Sequence, residues 1–174
     1  RNIKDIIAYI KCKLNNKKSS IKLLPYYDKF NGTITDCDTA NKYIITGCFS
    51  RVSSSVVKIT ELPVGMYLDD ILKHLKKLTL ANTIKDYTDN STEESIDIDV
   101  QFNRNTLYQY SDSDIFELLK LTTSITENLT CWLPTGKLRK FSSVESIIDY
   151  FIDWRINKYS DRISRLIELT DAEL

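Results

Sequence analysis

The sequence predicts an α+β fold, in which antiparallel sheets pack with a few helices and the chain ends in a long helix. Two patterns carry this prediction. Over residues 95–102, apolar side chains alternate with polar ones, which is typical of a strand with one buried face. From Val144 onward the apolar residues instead recur at helical spacing. The length of 174 residues suits one good-sized domain, with or without an appended helix, and 42% hydrophobic residues allow a substantial core.

The first predicted element is a helix over residues 2–15, with Asn2 as its N-cap and Asp5 at its third position. Its apolar residues recur at helical spacing: Ile3, Ile6, Ile7, Ile10 and Leu14. Lysines follow at the end of the helix, where positive charge is favourable to the helix dipole, and they continue to Lys22. We expect this basic stretch to be solvated.

A β region comes next. Short apolar runs bounded by polar turns predict strands over Thr33–Thr35, Tyr43–Phe49 and Ser55–Leu62. Pro63 ends the third strand because proline has no N–H to donate to a sheet. A helix is then predicted over Tyr67–Leu80, with leucine and isoleucine on one face and lysine on the other.

Two further strands, Ile84–Tyr87 and Ser95–Phe102, form a predicted hairpin that is distinctly acidic. Its carboxylates belong to Asp86, Asp89, Glu93, Glu94, Asp97 and Asp99. Carboxylates that alternate along a strand lack the turn geometry that Ca²⁺ and Mg²⁺ sites use. We therefore expect a solvated hairpin face in preference to a metal site.

The remaining elements are a short helix over Asp112–Leu118, a strand over Lys120–Leu133, and a turn at residues 134–136 that leads into Lys137–Phe141. Ser142 and Glu145 predict a capping box at the start of the last helix. The helical pattern has no stop signal, and the chain does not begin with Met. We therefore expect the chain to be a piece of a longer protein in which this helix continues.

No catalytic, cofactor or metal site is predicted. The single histidine, His74, lies on a lysine-rich helix face, where an exposed or half-buried neutral imidazole is expected. The four cysteines contain no CxxC pair, and four reduced thiols are expected. The four glycines are too far apart to form a phosphate-binding loop.

Charge is locally separated although its sum is zero, with 24 Lys+Arg against 24 Asp+Glu. The zero sum excludes a uniformly basic coat for nucleic acid, but not a local basic patch. Basic residues concentrate in Lys11–Lys22, Lys73–Lys77, Lys137–Lys140 and, on the last helix, Arg155, Lys158, Arg162 and Arg165. For each cluster a phosphate-binding role and an ordinary solvated face both remain open. No apolar run is long enough to cross a membrane, so no membrane partner is expected.

One segment, Lys58–Gly65, reads KITELPVG and resembles the ITELP segment of type IIA DNA topoisomerases. Further matches to the same family follow its order along the chain: Asn2–Asn15, Leu24–Ile34, Lys120–Ile125, Gly136–Phe141 and Phe151–Arg162. The matches are closer in style to eukaryotic and large-DNA-virus enzymes than to bacterial gyrase. Tyr26 departs from the family's Trp and Trp132 from a smaller apolar residue, and both changes are compatible with packing.

The resemblance implies a topoisomerase tower-like fold divided into an amphipathic helix with a basic linker (1–24), a tower domain (25–141) and the start of a coiled-coil exit helix (142–174). It implies an ATP- and Mg²⁺-dependent isomerase that acts as a homodimer. The location would be intracellular, in the nucleus or in a cytoplasmic viral factory. The family's catalytic tyrosine, metal-binding acids and ATPase domain lie outside these residues.

In the family, the tower binds and bends the gate segment of double-stranded DNA. The resemblance therefore implies backbone contacts from Lys137, Arg139 and Lys140. A second implied set is Lys17, Lys18 and Lys22. Arg155, Tyr159 and Arg162 would be structural residues of a helix that transmits motion. The alternative is a non-catalytic protein-interaction module that uses the acidic hairpin and a tyrosine-rich surface, including Tyr26 and Tyr27, although packing is the favoured role of these tyrosines.

Overall fold

The computed structural model describes residues 1–173, which by their internal contacts form two compact units. Unit 1 contains Arg1–Tyr26 and the residues from Glu127 onward, and unit 2 contains Tyr27–Thr126. Residues 127–141 thus group with the two terminal segments, although the sequence analysis assigned them to a tower domain over 25–141. The division into domains 1–24, 25–141 and 142–174 stays a prediction.

The secondary structure is mixed, as predicted. The helices are α1 (Ile3–Leu14), α2 (Leu68–Leu80), α3 (Asp112–Leu118) and α4 (Val144–Glu173), with a 3₁₀ turn at Leu107–Gln109. The strands are β1 (Thr33–Asp36), β2 (Lys42–Thr46), β3 (Cys48–Arg51), β4 (Val56–Glu61), β5 (Asp86–Asp89), β6 (Ile98–Gln101), β7 (Thr122–Thr126), β8 (Thr130–Trp132) and β9 (Leu138–Lys140). All strand pairs are antiparallel.

Unit 2 is built on a four-stranded sheet in the order β3-β4-β6-β5 and a three-stranded sheet in the order β1-β2-β7. The central strands β4 and β6 alternate as predicted, and their inward residues, Ile59 and Val100 among them, have no exposed surface. Helix α2 adds Ile71 and Leu75 to the same core. This core is the main source of stability in unit 2, because burying apolar surface is the dominant favourable contribution to folding.

The predicted single strand Tyr43–Phe49 is wrong, because the chain changes sheets at Gly47. Strand β2 pairs with β1 and β7, whereas β3 pairs with β4. The Gly47 N–H donates to the Leu121 carbonyl at 2.9 Å, and a Cβ at this position would lie 2.3 Å from the Glu61 carbonyl oxygen. Only glycine allows the backbone to approach so closely.

The predicted strand Lys120–Leu133 is also wrong. Its first part, β7, pairs with β2 in unit 2, and its second part, β8, pairs with β9 in unit 1. Between them the Glu127 carboxylate accepts a hydrogen bond of 2.7 Å from the Arg1 guanidinium. Lys120 precedes β7 and has a left-handed backbone with φ of 54°.

The acidic hairpin is less solvated than expected. The Lys58 Nζ on β4 lies 2.8 Å from Asp97 Oδ1 and 3.7 Å from Asp99 Oδ1. Hydrogen bonding and charge from Asp97, with a smaller contribution from Asp99, raise the pKa of Lys58 above its ordinary value. The expected solvated face is therefore only partly exposed at these two residues, because their cross-strand neighbour is a lysine.

Unit 1 begins with α1, whose predicted cap is confirmed: Asn2 Oδ1 accepts a hydrogen bond of 2.9 Å from the Lys4 N–H. None of the α1 residues is fully buried, and Ile3 is 73% exposed. The buried apolar residues of unit 1 are Leu23, Phe141 and Ile152. Unit 1 therefore has a much smaller core than unit 2.

Helix α4 is the longest element, with 30 residues. The predicted capping box of Ser142 and Glu145 is wrong, because the helix begins one residue later. Ser143 Oγ accepts from the Ser146 N–H at 3.2 Å, and Ser146 Oγ accepts from the Ser143 N–H at 3.3 Å. Beyond Ile152 the apolar side chains are about half exposed: Ile156, Tyr159, Ile163, Leu166, Ile167 and Leu169. Among residues 1–173, no helix is long and apolar enough to cross a membrane.

Candidate nucleic-acid interface

The basic hairpin, defined as residues 130–140, is the best-formed part of the candidate surface. Strands β8 and β9 pair with Thr130 opposite Lys140, Cys131 opposite Arg139, and Trp132 opposite Leu138. The Leu133 N–H donates to the Lys137 carbonyl at 2.8 Å, and Gly136 takes φ of 77° in the turn. The predicted hairpin is confirmed: Arg139 and Lys140 lie on strand β9, and Lys137 lies at the end of the turn directly before it.

The hairpin cations Lys137, Arg139 and Lys140 are all exposed, but they do not form one face. The Arg139 guanidinium lies 4.9 Å from the centre of the Phe141 ring and 5.4 Å from that of Tyr150. Successive side chains of a strand point to opposite faces, so Lys140 projects from the face opposite Arg139. Such cation–π contacts contribute about 0.5–1 kcal/mol at exposed sites. Arg139 is therefore partly held within unit 1, whereas the ammonium groups of Lys137 and Lys140 are free to meet an anion.

A shallow aromatic hollow of about 390 Å³ lies between the hairpin and α4. Its lining includes Trp132, Pro134, Tyr150 and Trp154. Trp132 is 71% exposed and is therefore not packed in a core of unit 1. Tyr26 is also largely exposed, whereas Tyr27 packs edge-to-face on Phe30 with ring centres 6.4 Å apart, as expected for a chain entering a sheet.

The second predicted set of cations follows α1. Lys17 and Lys18 line a hollow of about 440 Å³ with Tyr9 and Lys13, and Lys22 is exposed further along the chain. Lys13 Nζ donates to the Asp149 carboxylate at 2.9 Å, and this contact raises the pKa of Lys13. Neither Lys17 nor Lys18 pairs with a carboxylate in the part of the chain that the structure describes. Their charges are therefore available to an anionic ligand.

Other groups that could carry chemistry are engaged in structural contacts. His74 is half-buried, as expected, and its Nε2 donates to the Leu118 carbonyl at 2.8 Å. The four cysteines are free and half-buried, and burial raises the pKa of the Cys48 thiol. The described residues hold no group of three or more His, Cys, Asp or Glu side chains able to bind a metal ion. The chemistry of this surface is therefore that of exposed cations.

The fold and the ordered sequence motifs define the class of protein. The model of the family that comprises the A subunits of DNA gyrase and topoisomerase IV matches residues 1–174, and the chain belongs to this family. The predicted resemblance to type IIA DNA topoisomerases and the predicted α+β fold are thereby confirmed.

Three relatives make the similarity specific. The chain is 33% identical over 173 residues to a mitochondrial DNA topoisomerase 2 of Dictyostelium discoideum, covering 98% of this chain and 13% of the relative. It is 30% identical over 185 residues to DNA topoisomerase 2 of Arabidopsis thaliana, covering 99% of this chain and 12% of the relative. It matches the crystal structure of the Plasmodium falciparum topoisomerase II DNA-binding, cleavage and re-ligation domain with a TM-score of 0.83 and 29% identity, covering 95% and 23%. The chain thus spans a small part of each relative.

The sequence identified the hairpin and linker cations but not which of them are held by neighbouring side chains. Counting charges cannot show that Arg139 is held by two aromatic rings. The sequence analysis also grouped Lys73–Lys77 as one basic cluster and did not include Lys120. The structure places Lys120 in the lining of the same hollow as Lys73 and Lys77. The only sequence signal for Lys120 would have been its position directly after the helix Asp112–Leu118, where a turn redirects the chain.

Proposed function

We propose that this chain is the tower region of a type II DNA topoisomerase, which binds and bends the gate segment of double-stranded DNA. The parent enzyme would cleave both strands of that segment, pass a second duplex through the break and religate it. The observation that carries the proposal is the match over 95% of the chain, with a TM-score of 0.83, to a DNA-binding, cleavage and re-ligation domain.

The exposed cations support a backbone-binding role. Lys137 and Lys140 on the hairpin, and Lys17 and Lys18 after α1, have no carboxylate partner among the described residues. Contacts from such lysines to phosphate fix the position of DNA without reading its sequence, which suits an enzyme that acts at many sites. Bending a site of 20–30 base pairs costs on the order of 1–6 kcal/mol, and backbone contacts must offset that energy. Arg139 and Lys22 complete the proposed DNA-facing set.

The parent enzyme is proposed to be an ATP- and Mg²⁺-dependent homodimeric isomerase, located in the nucleus or in a viral factory. The side chains of the described residues do not offer a cluster suited to Mg²⁺. Helix α4 is proposed to carry motion toward a coiled coil. The Arg155 guanidinium lies 5.0 Å from the centre of the Tyr159 ring, which supports a structural role for both residues.

The alternative of a protein-interaction module is less well supported. Lys58 offsets one of the two negative charges of Asp97 and Asp99, and Tyr27 packs on Phe30. Both features remove groups that such a surface would need. These features favour DNA binding over a protein-interaction role.

The proposal is tested by removing the free hairpin charges. In the K137Q/K140Q variant, the plot of log affinity for duplex DNA against log salt should become less steep by about 0.9 for each phosphate contact that is lost. A K29Q/K85Q variant removes the same charge at two exposed lysines outside every basic cluster and should keep a slope close to that of the unmodified chain. Equal slopes for the two variants would contradict a DNA-facing hairpin.

A further inference from the structure

A third basic hollow lies in unit 2, whereas every residue assigned to DNA so far belongs to unit 1. It has a volume of about 260 Å³ and lies beside α2 and the turn that follows α3. Lys73, Lys77 and Lys120 line it, and Asp70 is the one carboxylate in its lining. Met66 and Ile71 supply an apolar floor. With His74 neutral, the lining therefore carries two positive charges in excess.

These lysines are not neutralised by the chain. Among the described residues, no carboxylate oxygen lies within 4.0 Å of the ammonium groups of Lys73, Lys77 and Lys120. Lys73 and Lys77 are four residues apart on one helix, where like charges face each other and repel. An anion in the hollow would relieve that repulsion.

The backbone holds Lys120 at the hollow. The Lys120 N–H donates to the Glu117 carbonyl at 3.1 Å, and the Leu121 N–H donates to the Phe116 carbonyl at 2.9 Å. This pattern ends a helix with a left-handed residue, a position that glycine usually occupies, yet a lysine stands here with φ of 54°. The flanking Leu119 and Leu121 are fully buried, so the position of Lys120 is fixed.

His74 ties the two sides of the hollow together. Its Nε2 donates to the carbonyl of Leu118, the last residue of α3, at 2.8 Å. This hydrogen bond joins α2, which carries Lys73 and Lys77, to the turn that carries Lys120. The backbone that carries the three lysines is therefore held in place within one compact unit.

We propose that this hollow binds a backbone phosphate of duplex DNA, as a contact separate from the basic hairpin. The proposal rests on the proposed DNA-binding function. A phosphate suits a lining of three lysines, because its oxygens accept several charge-assisted hydrogen bonds at once. The contact is independent of sequence, since lysine meets phosphate as a point charge.

The test compares two variants of the 174-residue chain that lose equal charge from unit 2. K73Q/K77Q removes two hollow lysines, whereas K76Q/K85Q removes two exposed lysines that do not line the hollow. The measurement is fluorescence anisotropy with a duplex at several salt concentrations. We expect the log–log salt slope of K73Q/K77Q to be less steep by about 0.9 than that of K76Q/K85Q. Equal slopes would overturn the proposal.

The K120G variant removes the charge without disturbing the fold, because glycine readily adopts the left-handed backbone conformation of this position. It should show the same reduction in slope with unchanged circular dichroism. Inorganic phosphate is the second probe, and it should shift the Lys120 amide resonance of the unmodified chain. A phosphate-induced shift without any change in the DNA slope would overturn the DNA contact in favour of a free-anion site. If K73Q/K77Q binds polyglutamate more weakly than the unmodified chain but keeps its salt slope for DNA, the DNA contact would be overturned in favour of an acidic protein partner.

The salt slopes of the two double variants test the hollow and the hairpin separately. If K137Q/K140Q lowers the slope and K73Q/K77Q does not, the hollow is not a DNA contact but the hairpin is. If the unmodified chain does not bind duplex DNA even at low salt, both proposals fall.

Discussion

Asp149 on α4 accepts hydrogen bonds from two α1 side chains. The Tyr9 hydroxyl donates to it at 3.1 Å and the Lys13 ammonium at 2.9 Å. The contact with Asp149 raises the pKa of Lys13 from its ordinary 10.5, and burial followed by Asp149 raises that of Tyr9 from 10.0. Because both groups hold their protons more tightly in the folded chain, their stabilisation is complete below about pH 10 and is lost as the pH rises through the raised values.

The first prediction concerns this carboxylate. D149N should lower the free energy of unfolding at pH 8, because Lys13 loses its ion pair, and the difference from the unmodified chain should shrink by pH 11. Urea unfolding at the two pH values measures it. E168Q, an exposed change on the same helix, should leave the free energy of unfolding nearly unchanged at both. A D149N difference that stays constant with pH would contradict the assigned coupling.

The second prediction concerns the cap of α4. S143A should reduce the free energy of unfolding by about 0.5–2 kcal/mol, because it removes the oxygen that accepts the Ser146 N–H. S142A lies one residue before the cap and should stay within about 0.5 kcal/mol of the unmodified chain. Urea unfolding followed by circular dichroism compares the two variants. A larger effect of S142A would restore the cap predicted from sequence.

At the scale of elements, hydrophobic periodicity was sufficient to locate a helix or strand that packs against a single core. It located α2, α4 and the alternating residues of β4 and β6 within a few residues. It failed at Tyr43–Phe49 and Lys120–Leu133, because the apolar pattern is continuous across both breaks while the pairing partner changes. The partner changes at Gly47, where the backbone approaches the Glu61 carbonyl closely, and between β7 and β8, where the Glu127 side chain binds Arg1. Neither feature has a hydrophobic period.

The third prediction tests the break at Gly47. G47A should destabilise the chain by about 1–3 kcal/mol, because the new methyl group would lie 2.3 Å from the Glu61 carbonyl oxygen and the backbone would have to move. Thermal unfolding measures the effect. S50A, an exposed change on the neighbouring strand β3, serves as the control and should have little effect. A G47A chain as stable as S50A would contradict the close approach.

The fourth prediction tests the core of unit 2. I98A should destabilise the chain by about 2–5 kcal/mol, because Ile98 has no exposed surface and its truncation leaves a cavity. I163A on α4, where the side chain is 58% exposed, should cost far less in the isolated chain. Urea unfolding of both variants gives the comparison. Similar losses would mean that α4 is more fully packed than its exposure indicates.

At the scale of the whole molecule, the zero net charge conceals a separation that the structure resolves into local contacts. Some charges are paired internally, as Lys58 is with Asp97 and Arg1 is with Glu127. Others, such as those of Lys137 and Lys140, have no carboxylate partner in residues 1–173. The sequence was therefore sufficient to locate clusters of exposed cations, but not to separate paired from unpaired charges, because pairing depends on neighbours that only folding brings together.

The most direct test of the account is the salt dependence of duplex binding by the unmodified chain. Anisotropy titrations with two duplexes of unrelated sequence, between 50 and 200 mM salt, should give equal affinities that fall linearly on a log–log plot. Contacts to phosphate alone predict both results. A strong preference for one duplex, or no binding at 50 mM salt, would contradict the assignment of these basic surfaces to the DNA backbone.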